Sequence, residues 1–251
     1  MDVLACVKRV PMVGGRITLT EDGQEVDTRM SGFTVSPHEE CAVEEAVQIT
    51  EREGGTVTVL TLGPPEAEAQ LRDMLALGAG RAILLETGPE EWGPQSTAAA
   101  IAAAARATGP YDLLLFGNEA ADTGGYQVPV RVAHELGLPC VTGIKTLELT
   151  GDGVVAAREY RGRQERFGLP RPAVISVKEG INLPRYPSLP GRLRAKRATV
   201  ERLVPETRPD GLRKVMLTVP ARESRRAEIL GTGPEAVPAL VALLDELGVL
   251  P

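Results

Sequence analysis

The sequence predicts an α/β fold, a doubly wound and mostly parallel sheet with an antiparallel extension and a C-terminal arm. Three observations lead there. Short apolar or β-branched runs alternate with helix-length segments as far as Thr142, which is the rhythm of a parallel sheet with crossover helices. From Thr146 to Lys178 strand-like runs follow one another without helices between them. Beyond Leu203 the chain is rich in proline and charge, with too few apolar residues for a second core.

In order, Asp2 to Val7 reads as a buried first strand, and Arg16–Thr20 with Glu25–Thr28 as a hairpin around Glu21-Asp-Gly23. Ser36-Pro37-His38-Glu39 is a strong helix start. The serine can cap, proline suits the first helical position, and Glu39 stands at the capping-box distance. That helix runs to about Arg52 and stops at Gly54-Gly55. Thr56–Leu62 is a second buried strand, Gly63-Pro64-Pro65-Glu66 opens a helix closed by Gly78 and Gly80, and Ala82–Leu85 is a third strand. An alanine-rich helix, Gln95–Ala107, leads to a fourth strand, Tyr111–Phe116, a helix over Thr123–Leu136 and a fifth strand, Cys140–Thr142. Leu147–Leu149, Val154–Tyr160, Glu165–Gly168 and Ala173–Val177 form the antiparallel extension. In the arm, Val237, Leu240, Val241, Leu244 and Leu247 fall at helical spacing, one apolar stripe on one helix.

The stretch Val177–Arg197 strings Pro184, Pro187 and Pro190 between apolar residues and ends in a basic cluster. Three prolines in seven residues fix φ repeatedly and are expected to forbid a regular helix or interior strand there. A loop stiffened in this way loses little entropy on binding, which suits recognition. Net charge is −6, yet Arg185–Arg202 carries a local +5. The acidic remainder argues against general nucleic-acid binding, and the basic stretch reads either as a contact for an acidic surface or as a solvated face.

Three widely spaced cysteines without a Cys-x-x-Cys, and only two histidines, give no metal-site pattern and fit a reduced, cytoplasmic setting. No 18-residue apolar run is visible, so no membrane insertion is expected. No serine has a nucleophile elbow, no acid/base pair is identifiable, and no Gly-Lys-Ser/Thr marks a P-loop, which leaves no catalytic residues to name.

In an open α/β sheet, ligands collect at the carboxyl ends of strands. The candidates are therefore Cys6, Ser36–Glu39, Leu62-Gly63 and the loop Gly117–Val128. In that loop Asp122 or Thr123 can cap a helix, and Gly124-Gly125 allow close backbone approach. It reads either as a phosphate site at a helix start or as an ordinary capped helix after a glycine turn. His38 reads as a ligand-facing or merely capping imidazole, His134 as structural, and Cys6 and Cys41 as core residues.

Cys6-Val-Lys-Arg-Val10, Ser36–Ala46, Gly117–Gln127 and Asn182-Leu-Pro-Arg-Tyr-Pro-Ser-Leu-Pro190 with its basic tail carry a family likeness over nearly the whole chain. The sequence resembles the beta subunits of electron-transfer flavoproteins. The resemblance implies the adenine-nucleotide alpha-hydrolase-like version of the fold, with residues 1–202 as the nucleotide-binding domain and 203–251 as an arm docking on an alpha subunit. It further implies a heterodimer carrying electrons from acyl-CoA and related dehydrogenases, as in fatty acid oxidation, to a membrane quinone oxidoreductase. FAD would be held mainly by alpha, and AMP by this chain.

Carried over by position, the nucleotide contacts are Cys6, Ser36, Pro37, His38, Glu39, Leu62, Gly117, Asn118, Glu119, Ala120, Ala121, Asp122, Thr123, Gly124, Gly125, Tyr126, Gln127 and Val128. The recognition loop spans 177–199, with Leu189 as an apolar anchor between Pro187 and Pro190. Arg185, Tyr186, Pro190, Arg192, Arg194 and Lys196 surround it. Met12 or its neighbours and His38 stand where mitochondrial members carry aromatics near the flavin, and Thr123-Gly124-Gly125 replaces acidic residues. Rival readings are an electron-bifurcating member with a second FAD in place of AMP, and a stand-alone adenine-nucleotide binder of the universal stress kind. A nucleotide-hydrolysing or adenylate-forming enzyme lacks its constellation here.

Overall fold

A computed structural model describes the chain except residues 13, 15, 16, 89–91, 207–209, 213, 221–228, 250 and 251. The elements are β1 (Asp2–Cys6), β2 (Val10–Pro11), β3 (Phe33–Thr34), α1 (Pro37–Glu53), β4 (Thr56–Gly63), α2 (Glu68–Leu77), β5 (Arg81–Glu86), α3 (Pro94–Thr108), β6 (Leu113–Gly117), α4 (Val128–Leu136), β7 (Cys140–Ile144), β8 (Thr146–Leu149), β9 (Gly153–Tyr160), β10 (Arg163–Pro170), β11 (Ala173–Val177), α5 (Leu189–Arg197), β12 (Val200–Leu203) and α6 (Val237–Glu246). They fall into two compact units, residues 1–217 and 218–251.

The first unit is built on a seven-stranded sheet in the order β12-β5-β4-β1-β6-β11-β7, with every neighbouring pair parallel. Its central strands are mostly apolar because both faces are covered, with Thr58 and Thr61 of β4 as buried polar exceptions. Val3, Ala5, Val59 and Leu115 point toward α1 and α2, whereas Leu4, Leu60, Leu114 and Phe116 point toward α3 and α4. This is the doubly wound α/β plan, and β8–β10 add an antiparallel sheet in the order β10-β9-β8. β11, expected in that extension, instead lies between β6 and β7 of the main sheet, which suits its fully buried Ala-Val-Ile-Ser-Val run. The expected hairpin near residue 20 reduces to one bridge, Leu19 to Val26, and Arg16 lies outside the described residues.

From β11 the chain must reach β12 at the far edge of the sheet. Residues 178–199 are that crossing. They pass over α1, through contacts of Asn182 and Arg185, and then over α2, where α5 is seated. The second unit holds a 3-10 turn, Gly233–Ala236, followed by α6. Val237, Leu240, Val241 and Leu243 of that helix are exposed.

Candidate functional site

Strand order reverses about β1. The chain moves outward through α1 and α2 to β4 and β5, then returns by α3 to β6 on the other side of β1. Such a switch point opens a crevice at the carboxyl ends of the two strands. The sequence candidates meet at that edge: Cys6 ends β1, Gly117 ends β6, Ser36–Glu39 start α1, and Leu62 lies near the end of β4.

The walls are tied together by short bonds. Ser36 Oγ accepts the N–H of Ala121 at 2.9 Å, fastening the loop after β6 to the start of α1. Glu39 Oε2 accepts the N–H groups of Ser36 (3.3 Å) and Lys8 (3.1 Å), the first being the return arm of the predicted capping box. Burial pushes the Glu39 carboxyl up to about 8, against those two N–H groups and the Lys8 charge, while Asp122 adds to the rise. Lys8 Nζ is 2.7 Å from Asp122, whose other oxygen accepts the N–H of Thr123. His38 accepts the N–H of Glu179 on Nδ1 (3.3 Å), and its Nε2 lies 3.5 Å from Glu119. Gly117 allows this convergence, because a Cβ there would stand 2.6 Å from Glu39 Cγ.

The helix after this loop starts at Val128, five residues later than the sequence predicts, with Gln127 rather than Asp122 or Thr123 as its cap. Tyr126 has a left-handed φ of 55°, and the Gly124 N–H closes a turn onto Ala120, so the backbone is not helical before Gln127. Pro129 then sits in the first turn, where its missing N–H costs nothing. The segment 122–127 is thus a bend in front of a helix N-terminus, a place that favours anions. A Cβ on Gly124 or Gly125 would meet nothing within 4 Å, so the bend is open at these exposed glycines.

Nucleophilic chemistry is poorly served here. Burial, with Glu39 in second place, holds the Cys6 thiol well above the usual thiol range, where little reactive thiolate forms. Ser36 Oγ is engaged with a backbone N–H. Among the described residues, no group of three or more His, Cys, Asp or Glu is placed to hold a metal ion, and no helix is long and apolar enough to cross a membrane. Two cavities lie elsewhere. One of about 250 Å³ sits among strand starts at Asp2, Thr56, Arg81 and Tyr111, and one of about 370 Å³ runs between α3 and Leu203–Glu206.

The proline-rich stretch differs from its sequence reading. Residues 178–188 are irregular, but Leu189–Arg197 form α5. Ser188 caps it by accepting the Gly191 N–H at 3.1 Å, and Pro190 occupies the first turn, where proline is tolerated. The basic residues Arg192, Arg194 and Lys196 therefore ride on a helix. Leu189 is 71% exposed at its first position, and Tyr186 is 94% exposed just before it. Arg185 is partnered within the chain by Glu44 and Glu51.

Most of the sequence that builds this sheet, the loop after β6 and α5 is matched by a known domain. The model of the electron transfer flavoprotein domain covers residues 26–207. The chain belongs to the electron transfer flavoprotein family. Its relatives include the electron transfer flavoprotein subunit beta of Bacillus subtilis, 37% identical over 186 residues, 74% of this chain and 70% of that protein. The subunit beta of Syntrophomonas wolfei is 36% identical over 203 residues, 80% and 78% of the two chains. That of Thermoanaerobacterium thermosaccharolyticum is 30% identical along the full length of both, an alignment of 265 positions.

Within the family span lie the start of α1, the loop after β6 and α5, while Cys6 and Lys8 precede it. Sequence reasoning missed Lys8 as the tether of Asp122, although it stands inside the first motif. It also missed Ser176, whose Oγ lies 3.3 Å from Asn118 Oδ1 and accepts the Gly143 N–H. Asn182, bonded to Cys41 O and Glu45, was visible only as part of the proline-rich motif. Arg72 was missed too: its i,i+4 pairing with Glu68 is local, but the three backbone carbonyls it reaches lie more than 120 residues away.

Proposed function

We propose that this chain is the beta-type subunit of a two-subunit electron carrier. It pairs with an alpha-type subunit, completes the site of an FAD held mainly by that partner, and keeps an AMP in the crevice at the ends of β1 and β6. Bound FAD supplies the electron-transfer chemistry. The chain's own residues bind and orient. Lys8 and Asp122 steady the loop, the bend before α4 receives a phosphate, and His38 offers a polar contact on the rim beside Glu119.

Residues 177–199 dock acyl-CoA and related dehydrogenases, and electrons pass on to a membrane quinone oxidoreductase. The observation that carries the docking reading is Leu189, an exposed apolar side chain at the first position of a helix whose later turns are basic. An apolar anchor ringed by cations suits a partial pocket with an acidic rim. The carrier is cytoplasmic on this reading, and it forms or breaks no substrate bond itself.

The test is to purify the chain with its alpha-type partner and assay the released nucleotides. One FAD and one AMP per heterodimer support the proposal, and two FAD with no AMP point to an electron-bifurcating carrier. A flavin-free homodimer of the stress-protein kind overturns the proposal. Leu189→Ala should abolish most reduction by an acyl-CoA dehydrogenase while leaving both cofactors in place, and loss of cofactor would make the leucine structural instead.

A further inference from the structure

α5 is a nine-residue helix with little reason of its own to form. Isolated helices this short are marginal in water. No acidic residue complements its first turn, and Arg192 faces Lys196 at the repelling i,i+4 spacing. The body of the protein supplies what the helix lacks. Gly191 and Ala195 seat it on α2 so closely that a Cβ on Gly191 would lie 2.6 Å from Ala76 O. At its far end one terminal nitrogen of the Arg72 guanidinium shares its two N–H groups among three carbonyls, those of Ala195 (2.5 Å), Lys196 (3.2 Å) and Ala198 (3.3 Å). A cation on the last carbonyls satisfies orphan acceptors and opposes the negative end of the helix dipole.

Arg72 is itself held. Glu68, one helical turn earlier, takes its Nε at 2.9 Å and its other terminal nitrogen at 2.6 Å. The second oxygen of Glu68 takes Arg202 of β12, which also reaches Glu86 at the end of β5. The helix terminus is thus tied through Arg72 and Glu68 to the edge of the main sheet.

We propose that Arg72 is the positioning residue of the docking helix. By fixing the C-terminal turn of α5 from α2, it holds Leu189 and its neighbouring cations ready for a partner, so that docking does not have to order them. The inference rests on the docking role proposed above. A flexible α5 would lose backbone freedom for every residue ordered on binding, so fraying of even one or two residues raises the cost of docking.

The experiment uses the intact heterodimer with Arg72→Gln and Arg72→Lys, since a single ammonium cannot span three carbonyls and Glu68 together. Two readouts are taken: amide hydrogen exchange across residues 191–198, and the KM and kcat of an acyl-CoA dehydrogenase that reduces the wild-type carrier. In both variants exchange across 191–198 should accelerate. KM for the carrier should rise about tenfold, the equivalent of ~1.4 kcal/mol, with kcat, FAD content and the unfolding midpoint unchanged. Unchanged protection, or lost protection with an unchanged KM, overturns the proposal, as does loss of FAD in both variants. Leu189→Ala in the same assay separates the two layers. If it leaves KM unaltered the docking role itself fails, and if it raises KM where the frayed Arg72 variants do not, only the positioning role fails.

Discussion

Glu44 and Arg185 form a two-point ion pair in which the carboxylate side is almost wholly buried and the guanidinium side is not. Arg185 Nε lies 2.9 Å from Glu44 Oε2 and its terminal nitrogen 3.0 Å from Oε1, while the side chains are 3% and 35% exposed for Glu44 and Arg185. Burial raises the Glu44 carboxyl, but the hydrogen bonds from Arg185 outweigh it and hold the group below its ordinary range. The asymmetry predicts unequal mutants. Arg185→Ala removes the guanidinium from a buried carboxylate and leaves it only Gln48 and the backbone N–H of residue 185, and should cost about 2–4 kcal/mol. Glu44→Gln leaves Arg185 with Glu51 and water, and should cost about 1–2 kcal/mol. Denaturant unfolding of the two variants checks this, and equal losses would mean that Glu44 keeps access to solvent.

Gly117→Ala tests the convergence of β6 on α1. The added methyl would meet Glu39 Cγ at 2.6 Å, Glu39 N at 3.0 Å and His38 C at 3.2 Å. Side-chain carbon can swing aside, but the backbone of a capped first turn cannot follow easily. Overpacking of this kind costs about 1–3 kcal/mol, and it should also displace Ser36 from Ala121. The expected outcome is a lower unfolding midpoint together with weaker retention, in the heterodimer, of the AMP proposed for this crevice. Full retention of AMP would separate this contact from the nucleotide site.

What the sequence made legible follows from how local each signal was. The start of α1 was readable because Ser36, Pro37 and Glu39 act within one turn, and β1, β4 and β6 because burial on both faces favours apolar and β-branched residues. α5 was not readable as a helix, since its stability comes from Arg72, Gly191 and Ala195 meeting α2. β12 was missed for a similar reason: Val-Glu-Arg-Leu at a sheet edge has the pattern of a loop until β5 pairs with it. In the crevice, the strand ends brought the candidates to one edge of the sheet. The ties between them, Lys8 to Asp122 and Ser36 to Ala121, depend on loops whose course no spacing rule encodes.

Glu39 predicts a pH dependence with a definite sign. Its carboxyl titrates near 8 in the folded chain against an ordinary 4.5. Between those values the folded state holds a proton that the unfolded state has lost. Stability therefore falls as pH rises through the window, with a limiting slope of about 1.4 kcal/mol per pH unit. Glu39→Gln removes the titration yet keeps an oxygen for the N–H groups of Lys8 and Ser36. Unfolding free energies measured from about pH 5 to about pH 8 should fall more steeply for the wild type than for the variant. Parallel curves would show that the carboxyl is ionised throughout.

The last prediction concerns the second unit. Val237, Leu240, Val241 and Leu243 present apolar side chains to solvent along α6. Burying a side chain of this kind is worth about 1.5–3 kcal/mol, and only part of that survives as affinity once ordering costs are met. The first unit has its own core on both faces of the seven-stranded sheet, and among the described residues that core is drawn from within residues 1–217. A chain ending at Leu217 should therefore unfold at the wild-type midpoint. Its affinity for the alpha-type partner should drop by at least about a hundredfold, or ~2.7 kcal/mol. Size-exclusion chromatography and titration calorimetry of the co-expressed pair read both quantities. Wild-type affinity would assign the apolar face of α6 to something other than the partner subunit, and a lowered midpoint would make it part of the chain's own fold.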